Sequence, residues 1–325
     1  MAVRLTEAEA WFVAHGLPYF VDDIRESVRA SLSRPRLLLV AVVAIVLGLA
    51  SGFAAAAAKD SLGVSVGGTV TLIVLATYAA RALKVWLIAK WALGRTFRSL
   101  GLLFPLATRA LPMLLLFITF LFINTEVWQV ASALRGGVLW ATVMVFAAMA
   151  VGFLWVRLDE ELDAFDDTID ADQLVEVCRQ TPFEDAALAM VDSGEDLAGD
   201  AQVTGLQKAN LVLVLLITQF VQVLLLSVAV FCFFIIFGSI AIEDDVITSW
   251  IGEPGPTYPP GIHIVSRELA QVSTFLAAFS GLYFTVYAVT DATYRKQFFT
   301  SITRELEQAV NARVAYRKLK RPLTP

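Results

Sequence analysis

The sequence predicts an all-α integral membrane protein, a polytopic bundle of about six transmembrane helices with amphipathic cytoplasmic helices at both ends. Three observations carry this prediction. Apolar runs long enough to cross a bilayer recur along the chain, most clearly at 37–58 and 211–237. About 18 consecutive apolar residues read as a spanning helix, because only a segment that satisfies its own backbone hydrogen bonds survives in lipid. The composition, 58% hydrophobic and 17% charged with a mean hydropathy of +0.70, suits a lipid solvent rather than a soluble domain. Finally, the cations are segregated. With six spans at 37–58, 67–87, 102–123, 137–156, 211–237 and 269–289 and both termini inside, 21 of the 25 Lys and Arg face the cytoplasm. Only Lys59, Arg135 and Arg267 fall outside, and Arg109 lies within span three. Cations near span ends are retained on the cytoplasmic side, so the N-terminus and C-terminus are both expected there.

This divides the chain into an amphipathic N-terminal segment (1–36), spans one to four (37–157), an acidic cytoplasmic loop (158–208), spans five and six with a Pro-rich external loop at 243–268 (209–290), and a basic amphipathic tail (291–325). In the first segment, Thr6 with Glu9 reads as a capping box opening a short helix that Gly16 and Pro18 end. Ile24, Val28 and Leu32 then repeat at helical spacing. Trp11, Phe12, Tyr19 and Phe20 give the segment the aromatic content of an interfacial anchor. A long polar and amphipathic stretch precedes the first apolar run, and no small-residue cleavage site follows it, so the first span is expected to be retained. After span two, Arg81, Lys84, Lys90 and Arg95 alternate with apolar residues and two tryptophans, which reads as a helix leaving the membrane with its cations snorkelling.

The acidic loop carries 15 acidic residues against Arg179 and Lys208, a balance of −13 in a chain whose net charge is −5. Two short helices are expected in it. One lies around 173–178, and the other is opened by Thr181, Pro182 and Glu184 and ends near Asp192. So acidic a module is repelled by anionic headgroups, and it is expected either to hang free in solution or to dock on a basic cytoplasmic protein. Asp163, Asp166, Asp167, Asp170 and Asp172 offer no register with the alternating ligands, central Gly and terminal Glu of a calcium loop. Four prolines (Pro254, Pro256, Pro259, Pro260) stiffen the external loop without building secondary structure. In the tail, Phe298, Ile302, Leu306 and Val310 recur every fourth residue, as in a basic amphipathic helix lying on the inner leaflet or pairing with a copy of itself.

Chemistry is sparse. His15 and His263 fall on opposite sides, the two cysteines stand apart, and no phosphate loop, nucleophile elbow or HExxH occurs. No catalytic residue, cofactor, metal or nucleic-acid partner is therefore expected. Helix packing is assigned to small residues four apart: Gly48 and Gly52 in span one, Gly152 with Ala148 in span four, and Ala277 and Gly281 with Ser273 in span six. Spans one, four and six should meet one another or a second protomer through these faces. The candidate polar or gating residues within the membrane are Arg109, Gln219, Gln222, Tyr283, Tyr287 and Asp291. The last three share one stripe and should face the bundle interior, where polar side chains hydrogen-bond across helices. Arg109 reads as a membrane anchor, because Pro105 and Pro112 can break the helix and leave 98–109 interfacial; in the functional alternative it pairs with Asp291 and gates a cytoplasmic entrance. Arg outnumbers Lys, and Ala and Val abound, the usage of a GC-rich bacterium, so the bacterial plasma (inner) membrane is the expected location. The pattern favours a non-enzymatic scaffold or regulator acting through its acidic loop and basic tail; the alternative is an oligomeric channel or transporter for an ion or small solute.

Overall fold

The structure is a computed structural model and describes residues 2–57, 63–98, 114–134, 137–163, 171–193, 203, 205–261, 264–290 and 308–320. Among these residues every regular element is helical. In chain order they are α1 (Ala2–Ala14), a short 3₁₀ turn (Pro18–Phe20), α2 (Asp22–Ser31), α3 (Arg34–Ala57), α4 (Gly63–Ala82), α5 (Val85–Arg98), α6 (Leu114–Phe122), α7 (Thr125–Ala133), α8 (Gly137–Asp163), α9 (Ala171–Cys178), α10 (Glu184–Ser193), α11 (Leu206–Ala241), α12 (Asp244–Ile251), α13 (Arg267–Thr290) and α14 (308–320). Four of them, α3, α8, α11 and α13, are long and apolar enough to cross a membrane. The count rises to six if the bent pairs α4–α5 and α6–α7 each form one span.

The chain divides into two compact units. Unit one holds 1–93, 165–214 and 302–325; unit two holds 94–164 and 215–301.

In unit one, α3 and α4 form a hairpin closed on glycine. A Cβ on Gly48 would lie 2.8 Å from the Gly67 carbonyl oxygen, and one on Gly52 2.8 Å from that of Gly63. Gly63 and Gly67 thus repeat on α4 the four-residue spacing of Gly48 and Gly52 on α3, and the two backbones approach as closely as small residues permit. The Thr71 hydroxyl, bonded to the Gly67 carbonyl of its own helix at 2.9 Å, also reaches across to the Ala44 carbonyl of α3 at 3.3 Å. The partner of the Gly48 and Gly52 face is therefore span two and not span four or six, because a short connection makes sequence neighbours antiparallel neighbours in space.

The helix after span two does not simply continue outward. At Lys84 the backbone turns to φ +47, and α5 leaves at 78° to α4, burying Ile88 and Ala92 while Trp86 stays 72% exposed. α1 also departs from expectation. It begins at Ala2, so Thr6 and Glu9 lie inside the helix rather than capping it. Its end is as read: Gly16 adopts φ +76, with no room for a Cβ beside the Trp91 ring.

In unit two, α13 packs along α8 and touches α7, which in turn touches α12. Phe146 of α8 meets Phe275 and Phe279 edge-on. A Cβ on Gly281 would collide with the Ser227 hydroxyl of α11, and one on Gly238 would meet Leu269 and Phe122. The core of this unit gathers Ile118, Phe122, Trp128, Phe234, Val272 and Leu276. Asn124 caps α7 by accepting from Val127 N–H at 3.1 Å, and the Trp128 indole donates back to the Phe122 carbonyl, fixing the 76° turn between α6 and α7. The external loop is more structured than its prolines suggest. Its first residues form α12 with Ile247 buried, and Trp250 packs on Trp128. Thr257 donates from both its N–H and its hydroxyl to the Glu268 carboxylate, each at 2.8 Å, and the Tyr258 hydroxyl donates to Asp244.

Candidate functional site

Unit one brings together three segments far apart in sequence: the N-terminus, the acidic loop and the tail. The junction is aromatic. Phe12, fully buried, stacks on Phe20 at 5.4 Å between ring centroids, tilts against Phe183 at 5.3 Å and meets Tyr316 edge-on at 5.3 Å. Trp11 adds a second edge to Phe183, and His15 stacks on Trp11. These contacts correct the reading of Trp11, Phe12, Tyr19 and Phe20 as an interfacial anchor. Phe12, Tyr19 and Phe20 are each no more than 1% exposed and serve as core, since three short amphipathic segments bury more apolar area against one another than any could alone.

The tail is corrected likewise. Eight consecutive residues of α14, Ala309 to Tyr316, are buried, Arg313 and Asn311 among them, so the helix is enclosed by protein instead of lying on a lipid surface. Of the four residues read as its apolar face only Val310 falls within the described residues; Phe298, Ile302 and Leu306 lie outside them.

Polar contacts fix the register of the N-terminal segment against the tail. The Tyr316 hydroxyl donates to Glu9 at 2.8 Å, and Lys320 donates to Asp22, which also pairs with Arg25. Burial and the bond to Glu9 push the Tyr316 phenol well above its usual range. Asp22 is partly buried, which alone would raise its pKa, but the bond from Lys320 and the charges of Arg25 and Lys320 lower it on balance. Asn210, at the start of α11 and fully buried, accepts from Tyr19 N–H at 2.7 Å and donates to the Gly16 carbonyl at 3.0 Å. It thereby satisfies two backbone groups of the turn between α1 and α2. Nothing in the sequence singled it out beyond its position before an apolar run.

The acidic loop contributes α9, over the expected 173–178, and α10, where its capping signal put it. Thr181 accepts from Phe183 N–H at 3.2 Å, whereas Glu184 accepts from Gln180 N–H at 2.9 Å, so the box closes one residue early. Their apolar faces, Leu174, Phe183, Ala187 and Met190, are buried. Cys178 is 1% exposed, and burial pushes its thiol up to about 12. The acids point the other way: Glu176 and Asp185, like Glu7, Asp23 and Glu26 from the N-terminal helices, are exposed.

Of the intramembrane candidates, Arg109 and Asp291 lie outside the described residues. Gln219 is 1% exposed and its Oε1 meets no donor among the described residues, while Gln222 is half-buried. Tyr283 does not face the interior. It is 39% exposed, with its ring stacked on Phe117 at 5.5 Å and parallel to Tyr287 at 6.5 Å, an outward placement that an amphipathic ring tolerates. Among the described residues, the buried hydroxyls of Ser280 and Thr285 bond within their own helix, to Leu276 and Gly281, as does half-buried Thr274 to Ala270, while the buried Ser273 hydroxyl meets no partner. Ala277 and Gly281 face α11 and the space beside it. Gly152 is exposed, and among the described residues no neighbouring atom lies within 4 Å of where a Cβ would stand.

A cavity of about 350 Å³ opens among α8, α11 and α13, walled by Trp140, Phe146, Phe220 and Phe231. It offers no charged group. Among the described residues no group of three or more His, Cys, Asp or Glu could hold a metal ion. No protein-family model, characterised protein or solved structure matches this chain.

Proposed function

We propose that this is a non-enzymatic polytopic membrane protein, resident in a bacterial plasma membrane, whose cytoplasmic face is one folded module built from the N-terminus, the acidic loop and the tail, and that it acts through this module as a scaffold or regulator. The convergence of Phe12, Phe183 and Tyr316 is the observation that carries the reading. Segments that pack together lie on one side of any membrane the chain crosses. Between α2 and α9 run α3, the α4–α5 pair, the α6–α7 pair and α8; between α10 and α14 run α11 and α13. The packing thus supports an even number of crossings in each interval, four or six in all and not five. The cation asymmetry favours six, with the module inside.

The acidic loop then acts as part of an assembled surface and not as a free arm. Its Phe183 is used against the N-terminal helix, and its exposed Glu176 and Asp185, the former paired with Arg179 at 3.0 Å, add to the exposed carboxylates of Glu7, Asp23 and Glu26 on α1 and α2. A partner with a basic face fits this surface. The channel or transporter alternative has less support, because the cavity among the spans is walled by aromatic and aliphatic side chains.

The test is a charge reversal that spares the core, E7K/D23K/E26K/E176K. It should abolish co-purification of basic cytoplasmic proteins while Cys178 stays protected from thiol reagents, and the wild-type protein in liposomes should pass neither ions nor small solutes. An unchanged partner set with the module intact, or a selective flux, would displace the scaffold reading.

A further inference from the structure

The cavity of unit two is walled by three helices read above as spans, and its chemistry selects its occupant. Small residues make its floor: Ala147 on α8, and Ala277, Ala278 and Gly281 on α13. Apart from the Trp140 indole, its polar groups are two hydroxyls, those of Ser227 and Thr274, and Thr274 is already bound to the Ala270 carbonyl at 2.7 Å. A solute needing hydration, charge or several hydrogen bonds finds nothing here to replace its water. A second helix is too wide to be enclosed. An α-helix is 10–12 Å across with its side chains, so about 350 Å³ would hold roughly 3–4.5 Å of one, less than a single turn. A hydrocarbon chain, whose carbons pack at about 4 Å, is slim enough to enter, and the volume lies within the usual range of ligand pockets, about 300–1,000 Å³.

We infer that this cavity is a lipid site that takes one acyl chain of a membrane phospholipid, held between α8, α11 and α13 and ordered relative to the lipids around the protein. The inference rests on the reading that these helices span a bilayer. Each chain methylene removed from looser contact gains packing against Phe146, Phe220 and Phe231, and the small residues of the floor exist to leave that room.

The experiment is native mass spectrometry of the full chain purified from membranes into mild detergent, comparing wild type with A147F and A278F, which fill the cavity, and A141F, which places the same bulk on an exposed face of α8. Wild type and A141F should carry one phospholipid adduct, and A147F and A278F should lose it by at least about tenfold. If a filled variant fails to fold, wild type in vesicles of phosphatidylcholine brominated at mid-chain gives an independent reading. Quenching of Trp140, taken as the difference from W140F, should survive dilution into unbrominated vesicles longer than that of Trp86, taken from W86F. A wild type without adduct, an adduct indifferent to filling, quenching lost from both tryptophans at one rate, or a dimer broken by A147F in place of a lipid would overturn the inference. Carbonate extraction separates the two levels: a chain released from membranes defeats the spanning reading, whereas a chain retained without adduct defeats the lipid site alone.

Discussion

Phe12→Ala removes the one ring that, among the described residues, touches both of the distant segments docked on the N-terminal helix. Phe12 is fully buried and meets Phe20, Phe183 and Tyr316 within 5.4 Å. Truncating a buried phenylalanine costs about 3–5 kcal/mol from lost burial and the cavity left behind. If opening of the module exposes Cys178, its labelling rate scales with the opening equilibrium. Every 1.4 kcal/mol is tenfold, so the variant should label roughly 100- to 4,000-fold faster than wild type. The protein reports on itself here, because Cys178 is 1% exposed and Cys232 is the only other cysteine; a Cys232→Ser background isolates the signal. The assay is maleimide labelling in native membranes followed over time. Phe12→Leu should fall between the two. A Phe12→Ala protein that labels within about threefold of wild type would refute the aromatic junction as the element holding the module together.

Asp22→Asn should loosen the module far less, by at most about 1 kcal/mol in the same assay, because Asp22 and Lys320 are each more than a third or nearly a third exposed and such pairs are worth about 0–1 kcal/mol. In the glycine hairpin, Gly67→Val should lower the melting temperature in detergent by the equivalent of about 1–3 kcal/mol or more, since its Cβ would stand 2.7 Å from the Gly48 carbonyl oxygen, whereas Gly152→Ala should change it by less than about 0.5 kcal/mol. The external loop should weaken in alkali. The bond to Asp244 and partial burial raise the Tyr258 phenol to about 12, so the stability it lends is fully present below its ordinary value near 10 and is lost as pH rises through 12. Tyr258→Phe should flatten this alkaline limb in a pH series of loop proteolysis. Finally, cysteines at Ser132 and Thr257 should react with an impermeant reagent in intact cells and one at Ser193 should not, as the cation asymmetry requires.

Much of the helical layout is legible in the sequence, because spanning helices announce themselves by length and hydropathy, and α10 by its cap. What the sequence hides is which surface each helix shows to which neighbour. The motif Gly48-xxx-Gly52 was readable, but its partner Gly63-xxx-Gly67 stood at the edge of a span assigned to begin at 67, so the matching face went unseen. The aromatics of the N-terminal segment suit a headgroup layer and a protein core equally well by composition. Only the proximity of Phe183 and Tyr316, more than 150 residues away, decides for the core. Tyr283 illustrates the converse: helical periodicity placed it on a stripe with Tyr287, but periodicity alone does not say whether a stripe faces inward. The bend at Lys84 carries no proline or glycine of its own, and the capping of α7 by Asn124 was masked by the surrounding apolar residues.

The most direct test of the account is a proximity measurement between the ends of the chain. In a background lacking Cys178 and Cys232, cysteines at Asp22 and Lys320, whose native side chains are in contact, should be joined by a short bismaleimide in native membranes. The account predicts an efficient crosslink within one chain, weakened by Phe12→Ala. Absence of any crosslink, or crosslinks found only between two chains, would contradict the claim that N-terminus, acidic loop and tail fold into a single module on one side of the membrane.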